Sequence, residues 1–366
     1  MRPTHLIIAS LLALAAPMAQ AQATQRLTAS KAGEYGLIYS LPLTEIDITV
    51  ETEHTRLEPG EFYNYARRHL AIDNAITEPS TTVTVKSITI GTRGVADPDN
   101  RWLVQFKSGS SPFMMLTADG TPLAVNTEDT GSSNTPALPV AQPARPTVLQ
   151  TEAARQAMTE DMIRSSSISK RAELAAQRIF ELRDMRSDLL SGQSDNPPAD
   201  GQAMQLVLNN ISAQEDALTA MFAGTRQTWT DVETLTLRPD STDIDNEIIA
   251  RISPFDGVID ADNLAGAPLT LSLRVLERGE LPLNEKGEVK KFPKGGMAYT
   301  IPGTANVTVS YEGRVIFSAD VALAQLGCTF GLDPALFTDK KAPSMLLFEP
   351  ATGAVRLLAP VGTTDR

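Results

Sequence analysis

The chain has a single cysteine, Cys328, so no disulfide can form within it even where the compartment would allow one. Stability must come from burial, and 366 residues can supply it, usually across two or more domains. Histidine is nearly as scarce. Only His54 and His69 lie beyond the first few residues, and no H-E-x-x-H pattern holds them at zinc-ligand spacing. Also missing are a G-x-S-x-G elbow, a P-loop, a dinucleotide-binding glycine pattern and a C-x-x-C pair. Cys328, in "QLGCTFG", therefore reads as a small buried hydrophobe. His69 reads as a packing or surface residue of a short helix. After the N-terminus no stretch approaches the ~20 apolar residues of a membrane-spanning helix.

What is present begins with a leader. Arg2 precedes an apolar run from Leu6 to Ala16, and Ala19-Gln20-Ala21 fits the small-x-small rule for signal peptidase. Residues 1–21 are expected to be a cleaved secretory signal, which places the protein outside the cytoplasm, in the periplasm or at the cell surface. Losing Arg2 takes the 32 basic residues to 31 against 44 acidic ones. A net charge near −13 favours solubility and argues against nucleic acid or an anionic membrane surface as partner.

The chain changes period along its length. Residues 22–125 read as a β-rich N-terminal domain. "EIDITVETE" alternates Ile46, Ile48 and Val50 with Asp47, Thr49 and Glu51. "TTVTVKSITI" shifts phase between Val85 and Ile88, which predicts a β-bulge near Lys86-Ser87. "RWLVQFK" is a further strand, and "FMMLTADGTPLAVN" a hairpin turning at Asp119-Gly120. One short helix is expected in "EPGEFYNYARRHLAI". Residues 126–150, rich in Pro, Ser and Thr, form a linker or exposed loop.

Residues 151–225 carry helical stripes, Ala172, Ala175, Ile179, Leu182 and Leu189 in one helix and Met204, Val207, Leu208, Ile211, Leu218, Met221 and Phe222 in the next. Gly192 and Pro197-Pro198 break them, so an antiparallel hairpin follows. Asp195 or Asn196 is expected to cap the second helix. Residues 226–366 return to strands, with turns at Glu312-Gly313 and Ala351–Gly353. The expected fold class is α+β: two β-rich, sandwich-like modules around an inserted helical hairpin. The two halves could instead complete one another in a single sheet system.

Four clusters could carry chemistry. Asp184, Asp188, Asp195 and Asp200 could offer oxygens to a hard cation, but no calcium-loop pattern is present, Arg183 and Arg186 lie among them, and capping explains them better. Asp240, Asp243, Asp245 and Glu247 read as a solvated connecting loop. Ser167-Ile168-Ser169-Lys170, Ser194-Asp195-Asn196 and Lys294-Gly295-Gly296 mimic the three motifs of serine β-lactamases. One uninterrupted helix of about 30 Å would keep Ser167 and Ser194 at opposite ends, and a nucleophile must reach its base. Phe62, Tyr63, Tyr65, Arg67 and Arg68 suit either an interface or an amphipathic helix covering the end of a sheet. None gives a catalytic, metal or cofactor residue.

"YSLPLTEIDITVE", "PGEFYNYARRHLAI", "GTRGVADPDNR", "KRAELAAQRIFELRDMRSDLLSG", "NPPADGQAMQLVLNNISAQEDALTAMFAGT" and "FEPATGAV" together resemble the secreted Bacteroidota domain-of-unknown-function family 4831. The resemblance implies an extracytoplasmic protein and carries over no site residue. The expectation is a non-enzymatic envelope component that binds another envelope protein through strand edges or helix faces. The alternative is a hydrolase of glycan or peptidoglycan that uses paired carboxylates.

Overall fold

The computed structural model describes residues 37–104, 113–128, 139–194, 201–294, 296–333, 335–338 and 343–361. The expected leader, Asp195, Asn196, the Pro-Pro pair and Asp200 lie outside them. The protein is an α+β protein dominated by strand.

The alternating runs do form strands, and several are longer than their sequence signal. Strand β1 covers Leu37–Glu58 and β2 covers Ser80–Val104. They pair antiparallel along almost their whole length. The two runs expected as separate strands at 81–94 and 101–107 are therefore one strand as far as Val104. It is broken by an excursion at 97–100, where Ser40 pairs with Arg101 and Pro42 with Ala96. Pro42 has no N–H to give a ladder, so the irregularity falls where pairing costs least. The bulge expected from the phase shift is present: Glu51 pairs with Ser87 and Thr52 with Val85, which leaves Lys86 as the extra residue.

Strands β3 (Met114–Leu116) and β4 (Pro122–Val125) form the expected hairpin, with a different turn. Thr117 N–H donates to the Thr121 carbonyl at 2.8 Å, so three residues make the loop and only Gly120 has positive φ. Asp119 was expected to share that role and does not. The later strands are β5 (Thr225–Leu237), β6 (Ile244–Ser253), β7 (Gly257–Ile259), β8 (Ala267–Glu277), β9 (Met297–Tyr311), β10 (Arg314–Leu332), β11 (Ser344–Phe348) and β12 (Val355–Pro360). Glu312 and Gly313, both at positive φ, make the tight β9–β10 turn. Three-residue β7 carries too little alternation to be legible in sequence.

Among the described residues these strands form three sheets, ordered β2-β1-β5, β10-β9-β8-β6-β7 and β12-β11-β4-β3. Two of the three combine strands from either side of the helical segment. The first two sheets pack face to face. Ile46, Ile48 and Val50 of β1 meet Leu269, Leu271 and Leu273 of β8 and Val307 and Val309 of β9, all essentially inaccessible to solvent. Below Pro42, the same strand serves a second core. There Tyr39 and Leu41 pack with Val125, Met297, Leu346 and Phe348.

The helices are α1 (Ala66–Leu70), α2 (Glu152–Ala157), α3 (Glu160–Arg164), α4 (Ile168–Ser191), α5 (Gln202–Ala223) and the short α6 (Ala335–Thr338). Thr151, Thr159 and Ser167 cap α2, α3 and α4, each accepting the backbone N–H three residues on. Gly192 ends α4 in the left-handed region, as its place in the sequence predicts. The cap of α5 is Gly201 rather than Asp195 or Asn196. Ala172, Ala175, Ile179 and Leu182 share a core with Ile211, Leu218 and Phe222. Glu215, almost buried, joins the two helices through Arg183 Nε and Arg186, each at 2.7 Å. The hairpin is docked. The β1–β2 connection wraps the end of α5, where Phe62 N–H donates to the Met221 carbonyl at 2.7 Å and Ile76 N–H to Ala223 at 2.9 Å.

All three sheets meet near Thr44. Its hydroxyl donates to the Ala351 carbonyl at 2.8 Å and accepts from Ala324 N–H at 3.0 Å. The Gln325 amide accepts from Thr44 N–H and donates to the carbonyls of Thr44 and Pro239. The turn after β11 is thereby buried against β1, with Thr352 almost inaccessible.

Candidate functional site

The expected clusters separate in the fold. Asp184 and Asp188 are exposed on α4, and the Asp188 carbonyl accepts the N–H groups that close that helix. Asp243 accepts the backbone N–H of Val275 at 2.8 Å, so it holds a loop to β8. Ser167 is engaged as the cap of α4, at the opposite end of that helix from Ser194. Lys294 lies in the β8–β9 connection, and Gly295 is outside the described residues. Phe62 is fully buried against Phe222, with ring centroids 5.3 Å apart. Arg67 pairs with Asp73. The aromatic segment, read as either an interface or a helix covering a sheet end, thus packs against the helices. Cys328, expected to be buried, is partly exposed beside an irregular stretch of β10. Burial pushes its thiol up, and Glu280 adds to this. Among the described residues no three His, Cys, Asp or Glu side chains converge as a metal site.

The feature with the geometry of a site is the outer edge of β5. β5 ends the first sheet, and among the described residues its only main-chain partner on the open side is Gln142. The two exchange both bonds: Gln142 N–H to Thr230 O at 2.9 Å and Thr230 N–H to Gln142 O at 3.0 Å. Thr228, Val232 and Thr234 share the parity of Thr230, so their N–H and C=O groups point the same way. The segment 141–146 arches away from this one contact and encloses a cleft of about 840 Å³. Its floor is Glu53 of β1, Lys86 at the bulge of β2, and Thr228 and Thr230 of β5. Arg145 lies on the wall, its carbonyl accepting from Gln227.

The electrostatics of the floor are mixed. The Ser87 hydroxyl, donating to Glu51 at 2.9 Å, holds that carboxylate below its usual range, and Lys86 at 3.3 Å adds to this. Glu53 has no ion-pair partner among the described residues. Farther along the face, Arg93 bridges Glu45 and Asp47, and Arg238 also grips Glu45.

A histidine does lie near, on the wrong side. Residues 53 and 54 are adjacent in a strand and point to opposite faces. His54 stacks on Trp229, centroids 5.0 Å apart, beneath Gly257 of β7. Its Nε2 lies 3.1 Å from Asp231 Oδ2 and 3.3 Å from Thr52 Oγ1. A relay would use both ring nitrogens, one toward a nucleophile and one toward a carboxylate. Here both partners meet the same nitrogen. Sequence reading missed this grouping because its members sit nearly 180 positions apart and no local pattern joins them.

A β-rich α+β protein with an open sheet edge and a polar cleft is the class that fold and site define. The chain belongs to the domain of unknown function family DUF4831, whose profile matches residues 35–356. No curated protein matches the chain, and no solved structure does.

Proposed function

We propose that the protein is an exported, non-enzymatic component of a Bacteroidota cell envelope that takes an extended segment of another envelope protein along the open edge of β5. The observation that carries this reading is the Gln142–Thr230 pair. The edge already accepts one residue in antiparallel register, and among the described residues no other main-chain group pairs with those on either side of it. The leader-like residues 1–21 support export. No helix among the described residues is long and apolar enough to cross a membrane. The hydrolase alternative needs two close carboxyl groups in a concave site, and among the described residues lining the cleft the one carboxylate is Glu53.

The test places a photo-crosslinking amino acid at Thr234 in intact host cells and identifies captured proteins by mass spectrometry. One or two envelope proteins should be captured repeatedly. Val232→Pro removes an N–H from the open edge and leaves the β1 ladder intact, so it should abolish the capture. Capture that survives Val232→Pro, or none above that at an exposed residue of another sheet, refutes the reading.

A further inference from the structure

Four of the chain's ten lysines, Lys286, Lys290, Lys291 and Lys294, fall in the connection between β8 and β9. Among the described residues the lysine ion pairs are those of Lys86 and Lys170, so these four face solvent without a carboxylate partner. The connection is a small hairpin. Leu283 bridges Val289, and Lys290 N–H donates to the Pro282 carbonyl at 2.8 Å. Asn284 Oδ1 accepts the N–H groups of Lys286 and Glu288, each at 2.9 Å, and fixes the tip. The root is also fixed. Phe292 stacks on Trp102 with centroids 5.4 Å apart and meets Phe330 edge-on.

A cross-strand pair shares one face. Leu283 and Val289 are 57% and 55% exposed, and Leu281, of the same parity, is 38% exposed. The hairpin therefore carries an apolar face rimmed by lysines. We propose that it is a membrane-surface contact that binds anionic phospholipid headgroups, with Leu281, Leu283 and Val289 entering the interface. The charge of the whole chain predicts repulsion from such a surface. At physiological ionic strength, however, fields decay over about 8 Å, so the charge of the approaching tip decides. The connection holds Arg278 and four ammonium groups against Glu280, Glu285 and Glu288, and lysines on long stems suit a rim around apolar side chains.

The test is co-sedimentation of the full chain, purified from an exporting host, with phosphatidylglycerol–phosphatidylethanolamine vesicles and with phosphatidylcholine vesicles. Binding should require phosphatidylglycerol and weaken steeply as salt rises from about 50 mM. Replacing all four lysines by glutamine should lower the partition coefficient at least about tenfold, since each lysine near an anionic surface is worth roughly fivefold. Leu283→Ser with Val289→Ser should also lower it and leave the salt dependence in place. Both variants should melt as the parent does, because the side chains are exposed. Binding indifferent to phosphatidylglycerol, or unchanged by the four glutamines, overturns the proposal.

Discussion

Thr44→Val is the sharpest probe of how the three sheets are joined. The substitution keeps the shape of the side chain and removes only its hydroxyl. Thr44 is fully buried, and its oxygen serves two groups at once. The Ala324 N–H is left in a buried site with no acceptor, which costs about 1–3 kcal/mol. The Ala351 carbonyl is partly buried and loses a donor, about 1 kcal/mol more. The total is about 2–4 kcal/mol. With a urea slope of about 3 kcal/mol/M, the unfolding midpoint should fall by about 1 M. Thr44→Ser keeps the hydroxyl and loses one methyl, so it should cost only about 1 kcal/mol. Gln325→Leu removes the amide that accepts from Thr44 N–H, and the double variant should be non-additive because the two side chains share one network. A valine variant as stable as the parent, or a serine variant as damaged as the valine, would show that the hydroxyl is not what joins the sheets.

Gly94→Ala should destabilise by about 1–3 kcal/mol or more in the same urea assay, because a Cβ there would overlap the Pro350 carbonyl oxygen. The matched change Gly91→Ala, in the same strand with open space around it, should be nearly neutral. Tyr39→Phe removes the hydroxyl that donates to Ala298 at 2.8 Å and should cost about 1–2 kcal/mol at neutral pH. Burial pushes that hydroxyl far above its usual value, so the folded protein keeps a proton that the unfolded chain releases above about pH 10. Its contribution is fully present below that pH and declines as pH rises further. The urea midpoint of Tyr39→Phe should therefore fall less between about pH 9 and 11 than that of the parent. Tyr299 and Tyr311, also pushed up by burial, should keep some of the slope in place.

The strand faces were legible in sequence, because alternation reports burial directly. Ile46, Ile48 and Val50 fall in the core as their period requires, and the slipped phase at Lys86 marks a true bulge. The helical stripe of Ala172, Ala175, Ile179 and Leu182 was legible for the same reason. Partnership was not. Nothing local in "TWTDVETLTL" says that it pairs with β1, and nothing in the proline-rich "PVAQPARPT" says that its glutamine docks on that strand. Side-chain period encodes a face, whereas pairing depends on contacts far apart in the chain. The cleft stayed hidden because its floor comes from three strands and its wall from a segment read as linker. The lysine hairpin was hidden differently. The overall acidity of the chain masked a basic connection that its exposure and its lack of carboxylate partners among the described residues reveal.

The pairing of β1 with β5 sets a clock for the newborn chain. Glu58 ends one strand and Thr225 begins its neighbour, with the whole helical segment between them. At about 5–20 residues per second, synthesis of that interval takes roughly 8–33 s. Once Val104 is made, and for the roughly 6–24 s that remain before Thr225, the long β1–β2 ribbon has a bare edge and an uncovered row of Ile46, Ile48 and Val50, because β8 and β9 come later still. Loop closure over such distances is slow, and exposed ribbons of this kind recruit one another. Holding the nascent chain unpaired until its end has emerged is thus a requirement written into the strand order.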